Sequence, residues 1–181
     1  MNIGKTVFLI AILASTFSAQ AVGSTDSRKI AAYYDKQDAV MLSNNADRMT
    51  KFFKENLTKD FVLIDDSDGA ENGHRMRLAE AIDAWTSFSG EGKYTKYTHS
   101  LDHIVIGKTS ATARVTVSLV CRLNDGGGHV MKSKSRVEDV WVKVGKDWRM
   151  KSSRGLVDSQ SVDGKPGGLR TITRIPIGKG R

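Results

Sequence analysis

The chain has 181 residues, of which 39% are hydrophobic and 27% charged, and it carries a formal net charge of +8 with a single cysteine. That length is one domain's worth and can bury a real core. The excess of cations favours anionic partners, and the lone Cys121 excludes a disulfide within the chain.

Residues 1–21 read as a cleavable export signal. Lys5 supplies the charged start, Val7 to Ala14 the apolar run, and Ala19-Gln20-Ala21 an A-x-A cleavage pattern. The apolar run is shorter than the roughly 20 residues that span a bilayer. The expectation is a periplasmic or secreted protein that no longer spans a membrane once cleaved. Export also makes nucleic acid a poor partner, and no nucleic-acid-binding motif is present.

The mature chain divides into a helical half and a β half. Ile30, Tyr33, Tyr34, Gln37, Val40 and Met41 recur at helical spacing, with Ser24, Thr25 and Asp26 as N-cap candidates. Asn44-Asn45 interrupts this helix, and a second carries Met49, Phe52 and Phe53 on one face. Phe61-Val62-Leu63-Ile64 predicts a short strand, closed by the turn residues Asp65 to Gly69. A third helix buries Leu78, Ala81, Ile82, Trp85 and Phe88 and ends at Gly90 and Gly92. Four long strands follow: Tyr94 to Ile106, Ala111 to Cys121, Val130 to Val144, and Trp148 to Leu156. Short glycine-containing turns join them, which predicts an antiparallel meander whose inner face the three helices must cover. The fold class expected is therefore α+β, a curved antiparallel sheet wrapped around three N-terminal helices. Residues 157–181 predict a loose basic tail, with Arg170, Arg174, Lys179 and Arg181.

The order of these pieces resembles the nuclear transport factor 2-like superfamily, in particular the SnoaL-like, ketosteroid-isomerase-like domains of exported bacterial proteins. Thr58 to Ile64, Tyr97-Thr98-His99, Ile104 to Gly107, Ala111-Thr112-Ala113 and the closing hairpin Trp141 to Met150 carry the resemblance, which covers residues 26–156. It implies a cone-shaped domain with a pocket open at one end, and a homodimer through the outer face of the sheet. It implies no particular reaction, because members of the superfamily include isomerases, dehydratases and proteins that only bind.

Chemistry on such a fold would come from a carboxylate or imidazole in an apolar pocket. His99 and His103 lie four apart on one predicted strand and should share a face. His99 is the candidate general base, and Asp47, just after the Asn44-Asn45 break, is a second catalytic candidate. Tyr33, Tyr34, Asp38, Trp85 and His103 are ligand-binding candidates. Asp65, Asp66, Asp68, Glu71 and His74 lack calcium-loop spacing and read as a solvated turn. No phosphate loop, paired-cysteine site or HExxH occurs, so neither metal nor cofactor is expected. The expected partner is a small apolar or anionic molecule, bound by an exported interaction domain. The alternative is a cofactor-independent isomerase or dehydratase. These two part on geometry: His99 within hydrogen-bond reach of an acid inside a closed apolar pocket favours the enzyme, whereas with His99 facing solvent, or Trp85 and Phe88 filling the pocket, the enzyme reading fails.

Overall fold

The computed structural model describes residues 24–65 and 74–167. The expected export signal, most of the acidic turn after Asp65, and the tail from 168 onward lie outside the described residues. Helix α1 spans Thr25–Leu42, and the Ser24 side chain caps it by accepting the Ser27 amide at 3.1 Å. Its buried face is Ile30, Tyr33, Tyr34, Gln37 and Met41, close to the stripe read from spacing.

Asn44 then takes a left-handed φ of 49°, which asparagine tolerates better than most residues. Its side-chain amide clips the Tyr94 backbone, accepting from N at 2.7 Å and donating to O at 3.1 Å. The break between helices is thereby tied to a strand. Asn45 caps α2, Ala46–Asn56, which buries Met49, Phe52 and Phe53. Strand β1, Leu57–Asp65, pairs antiparallel with β2, His74–Arg77, a strand too short for alternation to reveal. The Glu80 carboxylate accepts the Arg77 amide at 2.8 Å to start α3, Leu78–Glu91.

Four long strands follow: β3 Gly92–Ile106, β4 Ser110–Leu123, β5 Val130–Val144 and β6 Asp147–Val162. A short β7, Lys165–Gly167, folds back on β6. The sheet order is β2-β1-β6-β5-β4-β3. The β3 to β6 meander is antiparallel as expected, but β1 joins β6 in parallel. The result is a curved, unclosed sheet with three helices. β6 also continues past Leu156, pairing Val162 with Met131, so strand occupies part of the segment read as tail.

Two register shifts in β3, at Tyr94/Lys96 and Leu101/His103, bend that strand. Two more lie between β5 and β6. The core sits where the helices meet the bent sheet. Trp141, Phe53, Phe61, Ile30, Met41 and Met49 are its largest fully buried side chains.

Candidate functional site

A cavity of about 240 Å³ remains between the helices and the inner face of the sheet. Met41, Phe53, Leu63, Trp85, Leu119 and Met150 are among its apolar lining residues. Trp85 stacks against Phe53 with ring centroids 4.3 Å apart, and Phe88 packs on Tyr94 at 5.1 Å. Both therefore serve as wall and neighbour rather than as a plug.

His99 lines this cavity from β3, with its side chain only 5% exposed. Asp38, on α1, holds it twice. One carboxylate oxygen lies 2.6 Å from Nδ1, and the other accepts the His99 backbone amide at 3.1 Å. An ionised Asp38 thus keeps the proton on Nδ1 and leaves the Nε2 lone pair free. Burial pulls the His99 pKa down, opposed by the hydrogen bond and charge of Asp38. The imidazole is consequently neutral at pH 7 and competent as a base.

A second acid was not anticipated. Asp139, on β5, is 2% exposed and lines the same cavity. The Tyr34 hydroxyl donates to its Oδ2 at 2.7 Å, and the Trp141 indole donates to that hydroxyl at 3.3 Å. Oδ1 has no partner in hydrogen-bond geometry. Burial raises its pKa from 3.8 to about 6, with the Ser153 and Tyr34 hydroxyls opposing the shift. Gln37, whose Oε1 is also buried and without a hydrogen-bond partner, is another residue of the lining. The phenols of Tyr33, Tyr34 and Tyr97 have pKa values raised chiefly by burial, so they stay protonated donors.

Of the residues proposed from sequence, His99, Tyr33 and Trp85 line the cavity. Asp38 stands behind His99 and Tyr34 behind Asp139. His103 does not join them. The shift at Leu101/His103 inserts Asp102 and reverses the alternation, so Ile104 turns inward and His103 is exposed opposite Arg114. Asp47 is exposed in the first turn of α2, where a carboxylate complements the helix dipole, and it is not among the cavity-lining residues. Asp139 was legible in principle, since it falls in phase with Met131, Val137 and Trp141 on the inward face of β5. Cys121 is fully buried and its thiol pKa is raised by that burial, which fits a packing role. Among the described residues no cluster of three or more histidine, cysteine or acidic side chains could hold a metal.

A family model described as a SnoaL-like domain matches residues 23–154. Comparison with curated protein sequences gives no match. Solved structures share the fold at low identity. A conserved protein from Planctomyces limnophilus is 12% identical with a TM-score of 0.62, over 75% of this chain and 98% of that one. A nuclear transport factor 2-like protein from Cytophaga hutchinsonii is 15% identical with a TM-score of 0.54, over 72% and 97%. A nuclear transport factor 2-like superfamily protein from Salmonella enterica is 15% identical with a TM-score of 0.55, over 85% and 96%. With the family model spanning the helices and nearly the whole sheet, the chain belongs to the SnoaL-like domain family, and it shares its fold with nuclear transport factor 2-like proteins.

Proposed function

We propose that this protein binds a small, mostly apolar molecule in the cavity and moves a proton on it without a cofactor, with His99 as general base. The observation that carries the reading is the 2.6 Å Asp38–His99 pair inside an apolar cavity that also holds Asp139. Burial lowers the His99 pKa and raises that of Asp139 to about 6, so the chamber offers an imidazole base beside a buried carboxylate. Nε2 would take a proton from a carbon next to an electron-withdrawing group, and the electron pair would stay on the substrate. The imidazolium so formed would be stabilised by Asp38, and the Tyr33 and Tyr97 phenols, which line the cavity, would donate to the developing anion. Return of the proton to another carbon isomerises the substrate, whereas its delivery from the imidazolium to a hydroxyl on the neighbouring carbon expels water and dehydrates it, restoring the neutral imidazole in either case. Residues 1–21 support a place of action outside the cytoplasm.

A generic probe of base strength tests the reading: 5-nitrobenzisoxazole, which opens in one step when a base removes its ring proton. A positioned base contributes roughly 10²–10⁴-fold. The His99→Gln protein, checked for native circular dichroism, should lose at least about 100-fold of the protein-dependent rate. Asp38→Asn should keep part of that rate but shift its pH profile, because Asp38 positions the ring. A His99→Gln protein as fast as the wild type would sink the proposal.

A further inference from the structure

The outer face of the sheet carries a charge pattern that its packing does not call for. Between the bulges of β3, the outward positions line up across the strands in three rows. Lys96 and Lys132 flank Val120 in the first, Lys134 stands between Ser118 and Ser159 in the second, and Arg136 lies opposite Thr116 in the third. All four cations are exposed, and none of them enters an ion pair among the described residues. Two acids at the border of the patch are engaged. Asp102 accepts the Thr116 hydroxyl at 2.7 Å, and Glu138, one row on, pairs with Arg114 at 3.2 Å. Lysines on an edge strand deter pairing with another sheet, but β5 is an interior strand, so Lys132, Lys134 and Arg136 serve no such purpose. They stand about 7 Å apart along that strand and repel one another. The patch also has a shape: Thr116, Lys134, Arg136 and Ser159, from three strands, surround a depression of about 280 Å³. Both hydroxyls there already donate within the protein, Thr116 to Asp102 and Ser159 to the Lys134 carbonyl oxygen. The donors left for a ligand are the Lys134 ammonium and the Arg136 guanidinium, and both favour a negative oxygen.

We infer that this face binds an acidic polysaccharide bearing carboxylates, with one acidic sugar seated in the depression and its neighbours along the line from Lys132 to Arg136. A linear polymer with a repeated charge meets three cations in a row at once, which one small anion cannot. A single-stranded nucleic acid fits less well, because the three rows hold no Phe, Tyr or Trp on which bases could stack. A flat anionic bilayer gains nothing from the depression. A second copy of this chain, paired through the same patch, would set the stripe against itself, cation to cation. The export signal expected in residues 1–21 would bring the face to cell-surface polymers. The inference is independent of the reaction proposed at His99, which lines the cavity on the other side of the sheet.

Isothermal titration of the mature protein with a short oligogalacturonate at about 0.1 M salt tests it. The expected result is saturable binding that weakens as salt is raised, and none of a neutral malto-oligosaccharide of the same length. The double variant Lys134→Gln/Arg136→Gln should bind about tenfold more weakly. Lys51→Gln/Lys54→Gln, exposed on α2, removes the same net charge and should change the affinity less than about twofold, since distant charges are screened. All four of these side chains are exposed, so both variants should keep the wild-type unfolding midpoint. The comparison of charged and neutral oligosaccharides in the wild type requires no variant to fold. No binding of the oligogalacturonate, or equal losses in the two double variants, would overturn the inference. So would tighter binding of phosphatidylglycerol vesicles or of a single-stranded oligonucleotide than of the oligogalacturonate.

Discussion

Asp139 and His99 face one cavity, and burial displaces their proton affinities in opposite senses with measurable effects on stability. The Asp139 pKa rises from 3.8 to about 6 on folding, so the folded protein holds this proton more tightly than the unfolded chain. Its contribution is full below pH 3.8 and is lost as the pH rises through about 6. His99 acts the other way: its folded pKa is lowered from 6.5, so its contribution is present above that value and is lost as the pH falls. Asp139→Asn removes only the first titration and keeps an acceptor for Tyr34. Thermal unfolding at pH 7 should therefore show the variant more stable than the wild type, by on the order of 2–3 kcal/mol at most. The difference should close toward pH 4, and a variant that is no more stable at pH 7 would contradict the assignment. The sequence pointed to His99 because the strand alternates between its two bulges, from Tyr97 through His99 to Leu101. Asp139 was not singled out, although the inward phase of β5 runs unbroken from Met131 through Val137 and Asp139 to Trp141.

At the scale of elements, the helices were legible because a single buried stripe with capping residues is a local signal. The two bulges of β3 and the parallel docking of β1 on β6 depend on distant partners, so alternation within one strand could not show them. The start of β3 gives a sharp local test. A Cβ at Gly92 would lie 2.5 Å from Cys121 Sγ and 2.9 Å from the Arg122 carbonyl oxygen, so strand and thiol leave no room. Gly92→Ala should destabilise the protein by about 1–3 kcal/mol, read from the urea midpoint. Gly90, two residues earlier in α3, meets nothing within 4 Å. Gly90→Ala should be neutral or stabilise by about 0.5–1 kcal/mol through helix entropy. Equal effects at the two glycines would mean that the α3–β3 junction is wrongly placed.

For the whole molecule, the helical layer and the sheet share one core. Phe61, on β1, is 1% exposed and lies 6.1 Å from Trp85 of α3, centroid to centroid, so it joins the two layers. Phe61→Ala should cost about 3–5 kcal/mol while unfolding remains a single transition by circular dichroism and tryptophan fluorescence. Separate transitions for the two probes would mean that helices and sheet are independent units.

The same shared core turns a helix carboxylate, Asp38, toward a strand imidazole, His99, and that pairing is the basis of the functional reading. Long-range proton–nitrogen NMR of the histidine rings between pH 4 and 8 tests it most directly. The account predicts that His99 is neutral at pH 7, protonated on Nδ1, and titrates below 6.5. An Nε2-protonated ring, or an imidazolium persisting at pH 7, would contradict it.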